Sequence, residues 1–114
     1  MLKKLREVLL TVLPTVVYAH LDDDNEQNSE PPFIVYQEIS KNPAEFADDK
    51  PNYYIRTIQI NLITKKKDES LEEKLEKALL EKDIVFSLLS EYRNSDGSLN
   101  RAYEIRQEDF KYAK

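Results

Sequence analysis

Between Tyr53 and Thr64 the chain alternates: Ile58, Ile60 and Leu62 fall on one side of an extended backbone, Thr57, Gln59 and Asn61 on the other. A period of two marks a strand with one apolar and one polar face. Such a strand belongs to an antiparallel sheet covered on one side, because a parallel sheet is covered on both and reads as an unbroken apolar run. The rest of the chain must supply the covering layer.

Two amphipathic segments can do so. Leu2, Leu5, Val8, Leu9, Val12 and Leu13 recur at helical steps with Lys3, Lys4, Arg6 and Glu7 between them, and Pro14 closes the run. Ser70 followed by Glu73 predicts a capping box, opening a helix that runs to about Lys82. Its stripe is Leu71, Leu75, Ala78 and Leu79, while Glu72, Glu73, Glu76 and Lys77 are expected on the solvated side. Further strands are predicted over Val16–Leu21, over Phe33–Ser40 after Pro31 and Pro32, over Ile84–Tyr92 and from Leu99 to about Arg106. The last two flank Asn94-Ser95-Asp96-Gly97-Ser98, where Gly97 supplies the positive φ of a hairpin turn. The order helix, three strands, helix, two strands gives an α+β fold: a single domain over 1–114, mainly antiparallel β-sheet with two helices packed on one face. Free edges of so small a sheet invite pairing with another copy.

Two connections interrupt this pattern. Residues 22–32 carry Asp22, Asp23, Asp24, Glu26 and Glu30 with no base, the composition of a flexible acidic loop. Those five acids account for the whole net charge of -5, since the remaining 17 acids equal the 17 bases. Residues 41–52, punctuated by Pro43 and Pro51, read as a second loop in which Phe46 is an apolar anchor beside Asp48, Asp49 and Lys50. These residues of the two loops form the candidate partner-binding or channel-lining set.

Composition excludes several function classes. With Gly97 as its one glycine, the chain can build neither a P-loop nor a dinucleotide fingerprint. Without cysteine it has no disulfide, thiolate zinc site or cysteine nucleophile. Asp22, Asp24 and Glu26 match the start of a calcium loop, but Gln27 stands where its glycine and Phe33 where its last glutamate belong. No metal, cofactor or catalytic residues are assigned, and the chain is not read as an enzyme. A charge-balanced body with an acidic loop does not hold nucleic acid tightly. Lys65-Lys66-Lys67 reads as a solvated link, and Tyr53 and Tyr54 as packing groups rather than base-stacking platforms. The apolar run Leu9–Leu13 is too short for a membrane span or a signal peptide, so no membrane association is expected and an intracellular site of synthesis is.

Taken together, several segments resemble the tail-completion proteins of long-tailed bacteriophages and prophages of Gram-positive bacteria, also called tail terminators or tail-to-head joining proteins. The likeness lies in the proline-terminated first helix, in Val16-Val17-Tyr18-Ala19-His20 and in Pro31-Pro32-Phe33-Ile34-Val35-Tyr36. It continues through Tyr54 to Thr64 with its short charged link, the helix start Ser70-Leu71-Glu72, and the closing hairpin with Tyr103 and Ile105. The resemblance implies a homohexameric ring at the head-proximal end of the virion tail. That ring would dock on the major tail-tube protein, halt its polymerisation, face the head-connector protein and meet DNA only in passage. An acidic loop rimming the channel would repel the passing DNA. The alternative is a small adaptor or inhibitor domain that binds one host or phage protein through its loops.

Overall fold

The structure, a computed structural model, describes residues 2–19, 30–47 and 50–109. Its elements are α1 (Leu2–Leu10), β1 (Val16–Tyr18), β2 (Phe33–Ala47), β3 (Lys50–Thr64), α2 (Glu69–Glu81), β4 (Phe86–Arg93) and β5 (Leu99–Asp109). They make one five-stranded sheet in the order β1-β2-β3-β5-β4. Only β1 against β2 is parallel; the other three pairs are antiparallel. The fold is α+β, as the order of elements predicts.

The alternation in β3 has the consequence expected of it. Ile58, Ile60 and Leu62 are buried with Ile34, Tyr36, Tyr103 and Ile105 beneath Leu5, Val8 and Leu9 of α1 and Leu75 and Leu79 of α2. Both helices therefore cover one face. Each fully buried Leu or Ile contributes roughly 1.5–3 kcal/mol, so this cluster dominates the stability of the domain. On the other face Gln59 Nε2 donates to Asn61 Oδ1 (2.9 Å), and Asn61 Nδ2 donates to Asn100 Oδ1 (2.8 Å). Side-chain amides thus satisfy one another across β3 and β5. A small second cluster of Phe33, Val35 and Ile63, with Ala19 against it, lies on that face.

Residues 41–47 and 50–52 are strand rather than the expected loop; Asp48 and Asp49 lie outside the described residues. β2 and β3 pair antiparallel along these stretches, with Lys41 opposite Arg56, Pro43 opposite Tyr54 and Ala47 opposite Lys50. Pro43 and Pro51 read as breakers, yet both occupy stretches that are sheet edges among the described residues. β1 pairs only with Ile34–Tyr36, and β5 reaches β3 no further than Tyr54. A missing N–H costs nothing on an edge that has no partner. The ladder shifts register between Glu38 and Ser40, leaving Ile39 exposed, and Arg56 Nε lies 2.7 Å from Glu38 Oε1 at the root of this arm.

Other boundaries move for local reasons. α1 ends at Leu10, and the expected last turn is capped by Thr11, whose hydroxyl donates to the Val8 carbonyl at 2.6 Å. The N-cap of α2 is Asp68 rather than Ser70: its carboxylate accepts from Leu71 N–H at 3.1 Å, a stronger cap because it also carries charge at the positive end of the helix. The C-terminus of α2 closes with Asp83 N–H on the Leu80 carbonyl and Ile84 N–H on the Leu79 carbonyl. Asp83 takes the left-handed conformation (φ 59°) that this closure requires. Ile84 is consumed by the cap, so β4 starts at Phe86.

Candidate assembly edge

β4 is the last strand of the sheet, paired with β5 on one side and, among the described residues, with nothing on the other. Its outer N–H and C=O groups are a template for another strand. Native edges are blunted by bulges, proline and charge, above all lysine; β4 carries one bulge, Glu91 and Arg93 but neither lysine nor proline. Instead Leu88 (48%), Leu89 (48%) and Tyr92 (49%) stand exposed on it, with Val85 (73%) just before it and Leu80 (55%) on the neighbouring helix end. Isolated exposed apolar residues are ordinary; three on one edge strand make it the candidate interaction surface.

The edge is held rigidly from behind. Phe86 packs edge-on against the buried Tyr103 ring, with centroids 5.4 Å apart. Arg101 on β5 donates from Nη1 to Glu91 of β4 (2.9 Å), from Nη2 to Glu76 of α2 (3.2 Å) and from Nε to the Tyr103 hydroxyl (2.6 Å). That hydroxyl donates onward to Glu76 at 2.7 Å. Lys67, in the link before α2, reaches both Glu72 and Glu91 at 2.9 Å. Glu72 is buried, its Oε1 3.6 Å from Arg101 Nε. Glu72 and Glu76 therefore face the sheet, correcting their placement on the solvated side.

Protonation follows from this geometry. Burial works against the charge of Arg101, but hydrogen bonds with Tyr103, Glu91 and Glu76 together outweigh it and hold the guanidinium above its ordinary value. Burial pushes the Tyr103 phenol up. Hydrogen bonds from Lys67 first, then Arg101, hold the Glu91 carboxyl below its usual value, and the same contact with Glu91, followed by Glu72, raises Lys67. The acids and bases of this cluster satisfy one another, so their chemistry here is positioning. Among the described residues no group of three or more His, Cys, Asp or Glu is arranged to hold a metal ion. No helix among them is long and apolar enough to cross a membrane.

Of the residues singled out from sequence, three are described. Asp22, Asp23, Asp24, Glu26, Asp48 and Asp49 fall outside the described residues. Glu30 is exposed immediately before Pro31. Phe46 and Lys50 belong to β2 and β3, where Phe46 pairs with Pro51 and Lys50 with Ala47, so neither is a loop residue. The β4 edge was missed. Its signal in the sequence is the run Val85-Phe86-Ser87-Leu88-Leu89, which places apolar groups on both faces of one strand. Compared with known proteins, the chain matches no protein-family model and no curated sequence.

Proposed function

We propose that this chain is a tail-completion protein of a long-tailed bacteriophage or prophage, six copies of which form a ring on the head-proximal end of the tail. The ring ends growth of the tail tube and joins it to the head connector, and DNA passes through it. The observation that carries this reading is the pairing of an exposed apolar sheet edge at β4 with a two-stranded arm, β2–β3, that projects past the strands beside it. A protomer in a ring needs two different contact patches, and a component whose task is shape needs no active site. The order of elements along the chain, which resembles that family, is the second support.

Asp22, Asp23, Asp24, Glu26 and Glu30 then rim the channel or order against a partner, as do Asp48, Asp49 and Lys50. Unchanged assembly and infectivity after neutralising Asp22, Asp23, Asp24 and Glu26 would remove that part of the reading. The ring itself is tested by adding the protein to growing tail tubes of the phage whose genes surround it. Electron microscopy and native mass spectrometry are expected to show shorter tubes, capped at one end by six copies. Tubes that grow on unchanged sink the proposal. A complex of one copy with one host or phage protein that adds a strand to β4 is the adaptor reading, and stoichiometry separates the two.

A further inference from the structure

An edge strand that meets its own copy about a two-fold axis perpendicular to the sheet must place residues of one face opposite residues of the same face. A regular strand with an even number of residues fails this test at full overlap, because it pairs odd positions with even ones. β4 has eight residues, Phe86–Arg93. Its bulge removes the mismatch. The register shift between Leu88 and Ser90 leaves Phe86, Leu88, Glu91 and Arg93 opposite Ile105, Tyr103, Arg101 and Leu99, on the helix face, and Ser87, Ser90 and Tyr92 opposite Glu104, Ala102 and Asn100, on the other. Full overlap then sets Phe86 against Arg93, Leu88 against Glu91 and Ser87 against Tyr92, each pair on one face.

We propose that two copies of this chain pair through β4, antiparallel about such an axis, joining two five-stranded sheets into one. Leu88, Leu89 and Tyr92 are exposed in the single chain, and in this register each is flanked by a strand of the second copy: Leu88 by Glu91, Leu89 by Ser90 and Tyr92 by Ser87. Glu91 and Arg93 cancel in charge, and in this register neither faces its own kind. The opposite side of the sheet offers β4 less: β1 is three residues long, and beyond it β2 carries a bulge and Pro43, which cannot donate to a ladder. The best partner for β4 in a second copy is β4. This pairing stands independently of the tail reading; in a tail-completion protein it is the form of the free chain, with the edge closed until the tube is met.

The chain has no cysteine, so introduced thiols have no competitors. Ser87→Cys and Tyr92→Cys, mixed and mildly oxidised, are expected to give a disulfide-linked dimer at least tenfold more efficiently than either variant alone. Each position lies about 17 Å from its own symmetry copy, at roughly 3.4 Å per residue, but directly opposite the other. Leu89→Lys is expected to convert dimer to monomer in sedimentation, with the folded circular dichroism spectrum kept and the thermal midpoint no longer dependent on protein concentration. No link in the mixture, equal linking by a single variant, or a dimer that survives Leu89→Lys overturns the proposal. No link in the free protein, together with a six-copy ring on tubes, overturns the pairing and leaves the tail reading standing; the link in the free protein without capped tubes does the reverse.

Discussion

Arg101 ties three elements together: its own strand β5 through Tyr103, α2 through Glu76, and β4 through Glu91. Its side chain is 16% exposed and that of Glu72 8%, so the cluster sits where removing one partner strands another in a poorly solvated place. Arg101→Ala is expected to cost about 3–5 kcal/mol in urea denaturation. Tyr103→Phe, which loses one hydroxyl and keeps the ring, is expected to cost about 1 kcal/mol. The Glu91 carboxyl is held below its ordinary 4.5, so the stability it contributes is present above that pH and is lost as the pH falls through its lower folded value. Glu91→Gln should therefore flatten the acid limb of stability against pH below 4.5. Tyr103 has the opposite sign: its raised value predicts stability that falls as the pH climbs past 10.

Element ends are set by single backbone conformations. Asp83 holds φ 59° to close α2, a region that glycine enters at less cost. Asp83→Gly is expected to raise stability by about 0.5–1 kcal/mol, read as a higher thermal midpoint, since the side chain is exposed and nothing else is disturbed. The central strand and both helices were legible in the sequence because Ile58, Ile60 and Leu62, and Leu75 with Leu79, repeat at the period of the structure they form. The arm was not legible. Pro43 and Pro51 break a strand only where their N–H would have had a partner, and no local pattern tells whether a neighbour is there. Glu72 and Glu76 likewise read as solvated from the helix alone, because Arg101, which draws them inward, lies far along the chain. The β4 edge needed the sheet order, since β5 pairs on one of its sides and leaves the other open.

At the scale of the whole molecule the β2–β3 pair sets the shape. A strand of fifteen residues spans about 50 Å at roughly 3.3 Å per residue, and the longest dimension of the chain is 51 Å. Beyond the pairing of Tyr54 with Asp109, β3 has β2 as its one partner among the described residues. Deleting residues 43–53 and closing the gap with a two-residue turn is expected to shift the thermal midpoint by only a few degrees. On the reading proposed above, the shortened protein loses its capping of tail tubes, which electron microscopy would show.

The place of β5 in the sheet bears on the order of events in folding. β3 and β4 are joined through α2, yet β5 lies between them and is the last strand to leave the ribosome. β3 therefore cannot acquire its neighbour on that side until β5 has been made, and the β4–β5 hairpin is the local contact through which β5 can be brought there. The hairpin closes at a turn where Asn94 N–H bonds the Ser98 carbonyl (2.8 Å), Asp96 accepts from Ser98 and Gly97 stands at φ 91°. Gly97→Ala, strained there by its backbone alone, is expected to slow refolding in stopped-flow experiments and leave the unfolding rate nearly unchanged. The glycine that rules out a phosphate loop by being the only one would then act as the chain's pacemaker.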